Sequence, residues 1–137
     1  MLDVQRFWEV VLFSWMTGNS DMHCKNFSLI DTGSGEYVLS PAYDLLAVLL
    51  AAPADTEEMA MSFTIGGEKS GFSRDTFMTA FTQSGIPAAV AGKMIERMKS
   101  NLPQWKELIS WSFLPEQMKA DYCALLEKRK CVLDIRA

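Results

Sequence analysis

Three residues in this chain have the types and spacing to do chemistry: Asp21, Asn26 five residues later, and Asp44. The first two lie in Gly18-Asn19-Ser20-Asp21-Met22-His23-Cys24-Lys25-Asn26-Phe27-Ser28. The third lies in Pro41-Ala42-Tyr43-Asp44-Leu45-Leu46. A loop carboxylate can accept the proton of a hydroxyl. An amide oxygen and a second carboxylate are hard ligands, and Mg²⁺ binds few such protein groups while keeping water and substrate phosphates. Phosphoryl transfer uses these roles together, with a loop Asp as base and an Asn and a later Asp on the metal. The spacing by itself is shared by many loops, because Asp and Asn both favour turns. The apolar frame around Asp44 adds to it, since a bare carboxylate in apolar surroundings is costly without a partner.

The run from Gly18 to Ser28, followed by Leu39-Ser40-Pro41-Ala42-Tyr43-Asp44-Leu45-Leu46, closely resembles the C-terminal kinase core of HipA-like serine/threonine kinases. These are the toxins of bacterial toxin–antitoxin systems. The likeness is close over residues 15–47 and looser, as a pattern of elements, to the C-terminus. It implies that Asp21 is the catalytic Asp and that Asn26 and Asp44 are the metal ligands. It further implies ATP and Mg²⁺ as cofactors, a protein hydroxyl as acceptor, and the C-terminal lobe of a kinase-like fold. The family's nucleotide-covering lobe, with its Gly-rich loop and phosphate-pairing Lys, has no counterpart in these residues. Phosphoinositide-type lipid kinases carry a similar Asp-x-His-x-x-Asn run, by analogy of fold.

Two neighbours in the loop each have two readings. His23 could be a general base, since its ordinary pKa lies near neutrality. It could instead prop the loop by hydrogen bonding. Lys25, next to Asn26, could neutralise a transferring phosphoryl group, or be a solvated surface lysine.

Composition narrows the class. A length of 137 residues suits one domain with a real core, and 49% apolar residues spread along it argue against disorder. No apolar run reaches the roughly 18 residues of a membrane span. Val10–Met16 is apolar but follows Asp3, Gln5, Arg6 and Glu9, without the basic start of a signal peptide. Cys24, Cys123 and Cys131 are odd in number and far apart, which suggests reduced thiols in a cytoplasmic protein. A single His argues against a His-based zinc site. Residues 1–92 hold four basic and eleven acidic side chains, and residues 93–137 hold nine and six. The basic excess at the end is too dilute to argue direct nucleic-acid binding.

The elements that position the three residues follow from pattern. Val4, Phe7, Trp8, Val11, Leu12 and Trp15 predict a helix over 3–17, with Val10, Phe13 and Met16 on its other side. Gly18 and Asn19 stop it. The catalytic loop spans 18–28. A hairpin with strands near 27–30 and 37–39 turns through Asp31-Thr32-Gly33-Ser34-Gly35 and brings Asp44 back toward Asp21 and Asn26. The metal-binding turn spans 41–47. After an acidic break at 53–58, alternation predicts a strand over 59–65, closed by Gly66-Gly67, which does not match phosphate-loop spacing. A helical body over 73–133 follows. Ser73 caps a helix over 74–84, and Pro87 sits early in the next helix. Pro103 kinks or divides that helix, and a last one runs from Pro115 with Met118, Tyr122 and Leu125 inward.

The expected fold is therefore mainly α with a small β-hairpin, an α+β chain forming one HipA-like C-terminal kinase domain over 1–137. The expected function is the catalytic portion of such a kinase, inactive without an N-terminal lobe. That lobe could come from a separate subunit, and an antitoxin is a further possible partner besides the protein substrate; no membrane association is expected. Two alternatives stand beside it. One is a non-catalytic interaction module left from a toxin–antitoxin kinase. The other is a fragment of a small-molecule or lipid phosphotransferase.

Overall fold

A computed structural model describes residues 2–51 and 64–135. The first helix, α1 (Leu2–Thr17), is apolar on nearly every side, and its C-terminal half is covered accordingly. Val11, Leu12, Ser14, Trp15, Met16 and Thr17 are all buried. The N-terminal half is only partly covered, with Leu2 and Val4 exposed. Gly18 ends the helix at φ +78°. Its N–H reaches the Trp15 carbonyl, and the Asn19 N–H reaches that of Ser14 at 2.8 Å, the paired closure of a left-handed cap.

A short 3₁₀ turn (Cys24–Asn26) follows, then the hairpin of β1 (Leu29–Asp31) and β2 (Tyr37–Leu39). The strands are antiparallel, with Leu29 opposite Leu39, Ile30 opposite Val38 and Asp31 opposite Tyr37. Asp31 closes the turn by accepting the Gly33 N–H at 2.8 Å. A second 3₁₀ turn covers Val48–Leu50. The acidic break and most of the strand expected over 59–65 lie outside the described residues. Within them, Ile65 forms an antiparallel bridge with Glu68 across Gly66 and Gly67.

Four helices form the rest: α2 (Arg74–Gln83), α3 (Ala88–Ser100), α4 (Leu102–Trp111) and α5 (Glu116–Asp134). Ser73 caps α2 as expected: its Oγ accepts the Thr76 N–H, and the Thr76 hydroxyl accepts the Ser73 N–H. Pro87 stands just before α3, not inside it. Pro103 divides rather than kinks: α3 stops at Ser100, and Pro103 lies in the first turn of α4, where its missing N–H is not needed. The fold is thus mainly α with one small antiparallel hairpin among the described residues. No described helix is long and apolar enough to cross a membrane.

The core collects around α1. Trp15 meets Phe77 at 5.1 Å between ring centroids, Phe77 meets Phe81 at 6.0 Å, and Phe81 meets Trp8 at 5.5 Å. Burying each such ring contributes about 1.5–3 kcal/mol. On the far side, the Arg129 guanidinium lies 4.6 Å from the Trp15 ring centroid. This corrects the expected inward face of α5. Leu126, Arg129 and Leu133 are the buried residues, while Met118, Tyr122 and Leu125 are half-buried. A stripe through Arg129 is not visible as an apolar stripe, although a guanidinium stacks well on an indole. Burial pushes the Tyr122 phenol above its ordinary pKa, with a hydrogen bond to Thr17 working against that.

The end of α5 is tied down by charge. Arg74 donates to Glu96 at 3.0 Å and to the Leu133 carbonyl at 3.2 Å. Lys99 lies 2.9 Å from Glu96 and 2.5 Å from Asp134. The hydrogen bond from Lys99 is the main reason that Glu96 and Asp134 both titrate below their ordinary values. Burial alone would lower Lys99; its bonds to Asp134 and Glu96 outweigh this and raise it. The lowered carboxyl groups stabilise the fold above their ordinary values of 4.5 and 3.8 and lose that contribution as pH falls through the window below them. The raised Lys99 keeps its contribution below its ordinary 10.5 and loses it at higher pH. Melting temperature should therefore drop on acidification below about pH 4.5, and Lys99→Met should flatten that drop. Thermal melts of both proteins across pH 3–7 check this (about four pH units, spanning the carboxyl range), and parallel curves would contradict it.

Candidate functional site

The loop after α1 is anchored from below. Met22 is buried, and Phe27 stacks on Phe7 of α1 at 4.6 Å between centroids. Between these anchors the 3₁₀ turn closes on itself, with the Asn26 N–H donating to the His23 carbonyl at 2.9 Å. The Asn26 side chain, 6% exposed, is held on both its ends. Its Oδ1 accepts the His23 backbone N–H at 2.9 Å, and its Nδ2 donates to Asp44 Oδ2 at 2.6 Å.

Asn26 and Asp44, eighteen residues apart, are thus in direct contact. The hairpin makes this possible by returning the chain on its own path, and the Ser40 N–H extends the pairing to the Ser28 carbonyl at 2.9 Å. Next to the contact, the Tyr43 hydroxyl donates to the Lys25 carbonyl at 3.0 Å. Asn19 Nδ2 lies 3.4 Å from the Asp44 carbonyl. Further on, the Leu49 N–H donates to the Gly18 carbonyl at 3.0 Å. Four bonds therefore lace segment 18–26 to segment 43–49.

The other residues singled out by sequence are placed differently. Asp21 and Lys25 are exposed on the loop. The Asp21 carboxylate takes no hydrogen bond or ion pair among the described residues, so nothing draws it into the Asn26–Asp44 pair. His23 is half-buried; its backbone serves Asn26, while its buried Nδ1 has no hydrogen bond among the described residues. The apolar frame of Asp44 is a correction. Pro41 through Leu46 are all exposed, with Leu46 at 59%. Hydrogen bonds restrain Asp44, not desolvation. Tyr43 and Asn19 carry contacts that sequence reasoning did not assign. Asn19 reads in sequence only as part of a helix stop, and the phenol of Tyr43 is hidden in an apolar run.

The donor set suits a hard cation in small number. Asp44 Oδ1 has no hydrogen bond among the described residues, and Asn26 Oδ1, with one N–H on it, keeps a second lone pair. No cluster of three or more His, Cys, Asp or Glu that could cage a metal occurs among the described residues. A cation held here by Asp44 and Asn26 would complete its shell with water and phosphate oxygens, the habit of Mg²⁺. A cavity of about 510 Å³ lined by Glu96, Lys99, Lys106, Glu127 and Lys130 lies elsewhere, among α3, α4 and α5. Four of its five charged side chains are paired with one another, Lys99 with Glu96 and Lys106 with Glu127.

Comparison with known proteins bears on this geometry. Residues 1–106 match the family model described as HipA-like C-terminal domain. Over 73 residues the chain is 37% identical to a Sinorhizobium fredii (strain NBRC 101917 / NGR234) protein named "Putative kinase Y4dM", covering 53% of this chain and 18% of that protein. The fold superposes on a chain from the Shewanella oneidensis MR-1 toxin–antitoxin complex of HipA, HipB and operator DNA. The TM-score is 0.73 at 26% identity, covering 97% of this chain and 34% of that one. The chain thus spans about a fifth of the curated relative and about a third of the structural one.

The Asn26–Asp44 contact has a pH signature. Asn26→Asp would place two carboxylates against each other, raising the pKa of one. A folded-state pKa above the unfolded one adds stability at low pH and forfeits it as pH rises through the folded value. The variant should be about 1–3 kcal/mol less stable at pH 7 and should approach wild type near pH 4. Urea titrations at the two pH values measure this; a deficit independent of pH would mean that the carboxylates do not meet.

Proposed function

Since the chain belongs to the HipA-like C-terminal domain family, we propose that it is the catalytic portion of a serine/threonine protein kinase that transfers the γ-phosphoryl of ATP to a protein hydroxyl. The observation that carries this reading is the Asn26–Asp44 contact, which unites the two expected metal ligands across a hairpin. Asp21, free in solvent at the head of the loop, accepts the proton as the hydroxyl oxygen bonds to phosphorus and the bond to the β-phosphate oxygen breaks, releasing ADP. Asn26 and Asp44 would hold Mg²⁺, which supplies charge neutralisation on the phosphates. Lys25, exposed beside Asn26, offers an ammonium to the phosphoryl oxygens. The part of His23 is support: its backbone N–H fixes the Asn26 oxygen. The Shewanella complex, in which HipA is found with HipB, supports an antitoxin as a binding partner.

Phosphoryl transfer is accelerated by clamping the phosphates as well as by a base and a metal. No Gly-rich loop at phosphate-cradling spacing occurs in the 137 residues, so the reading assigns the clamp to a further lobe. In a radiolabelled-ATP assay the lone chain should transfer phosphate below detection, and adding a matching N-terminal lobe in trans should restore transfer to Ser or Thr. Asp21→Asn should abolish the restored activity with the fold intact, and Asp44→Ala should also lose Mg²⁺-dependent nucleotide binding. Robust transfer by the lone chain, unchanged by Asp21→Asn, would overturn the reading.

A further inference from the structure

Asp44 is the one non-glycine residue with positive φ, +55°, among the described residues. An L-residue held there is strained, so its surroundings must hold it. Its carboxylate is met by Asn26, but a carboxylate can follow its partner through many backbone states. The backbone itself is gripped from the other side. Asn19, 2% exposed, points its amide Nδ2 at the Asp44 carbonyl from 3.4 Å. A buried amide donor cannot turn to water instead, so even a long hydrogen bond of this kind is costly to give up.

Asn19 is itself held by contacts that begin in the core. Its backbone N–H is bound to the carbonyl of Ser14, a fully buried residue of α1. Gly18 beside it lies so close to its neighbours that a Cβ there would sit 2.7 Å from Leu125 Cδ2 and 3.3 Å from Leu49 Cβ. That approach lets the Gly18 carbonyl take the Leu49 N–H at 3.0 Å. The Asp44–Leu49 segment is thus held at both ends by two consecutive residues of the α1 cap.

We propose that Asn19, seated by Gly18, is a positioning residue that locks the left-handed backbone of Asp44 and so aims its carboxylate at Asn26 and at a bound divalent cation. The cation half of this rests on the kinase reading; the lock does not. Without the Asn19 amide, Asp44 relaxes to negative φ and its carboxylate swings off Asn26.

The test uses the 137-residue chain, Asn19→Ala and Asn19→Asp, read by nuclear magnetic resonance. The one-bond Cα–Hα coupling of Asp44 separates positive from negative φ. Mn²⁺ added as probe reports on metal through broadening of the Asn26 side-chain amide signals. The wild type should show positive φ at Asp44 and broadening at Asn26. Both variants should shift Asp44 to negative φ and weaken Mn²⁺ binding about tenfold to a hundredfold, while the Trp15 indole signal stays in place. Variants that keep positive φ overturn the lock, whatever the metal does. A wild type that responds in φ but shows no Mn²⁺ broadening leaves the lock standing and removes the metal reading. Should both variants fail to fold, two wild-type measurements decide. A negative φ at Asp44, or an Asn19 side-chain amide exchanging as fast as that of exposed Gln104, would end the proposal.

Discussion

Burial of the last two turns of α1 on nearly every side is the constraint from which the rest of this structure follows. A helix face can be covered by one neighbour, but Val11, Leu12, Trp15 and Met16 point in several directions and are all 0% exposed. Covering them takes α2, α3 and α5 together. Trp15 is the pivot, with Phe77 of α2 on one side and the Arg129 guanidinium of α5 on another. Once these helices close around α1, the cap at Gly18 admits no side chain, because Leu125 and Leu49 occupy the space that one there would need.

The loops inherit their order from that cap. Segment 43–49 is exposed or half-buried throughout, while segment 18–26 alternates buried Gly18, Asn19, Met22 and Asn26 with exposed Asp21, Cys24 and Lys25. The two segments are joined by few, directional bonds, three of them anchored on the buried residues Gly18, Asn19 and Asn26. Asn26 is fixed through Phe27 on Phe7, and Asn19 through Ser14. Such a site can be accurate without being deeply buried, since the entropy of ordering it has been met by packing elsewhere. Asp21 and Lys25 stay exposed on this loop, and the roles proposed for them ask for no internal partner.

Charge closes the far end. Arg74, Glu96, Lys99 and Asp134 join α2, α3 and α5 beside the buried Ile95 and Leu133, and Arg74 also satisfies the Leu133 carbonyl near the end of α5. Individually exposed ion pairs contribute little. Here Lys99 is largely covered and serves two carboxylates at once, which sets this cluster apart from the isolated pair of Arg6 and Asp3.

Much of this was legible in the sequence alone. Local rules suffice for local features, so α1, the hairpin, the Ser73 cap and the break near Pro103 followed from periodicity, turn residues and proline chemistry. The family followed from the Gly18–Ser28 run and its later Asp. Three things needed the tertiary structure, because each depends on what comes near in space rather than in sequence. The inward face of α5 runs through Arg129, which only the nearby Trp15 ring makes a core residue. The run around Asp44 looked buried by composition, yet hydropathy does not say which side of a turn faces water, and it lies exposed. The left-handed backbone of Asp44 and its grip by Asn19 were invisible, since an Asn after Gly reads as a helix stop until folding brings residue 44 against it.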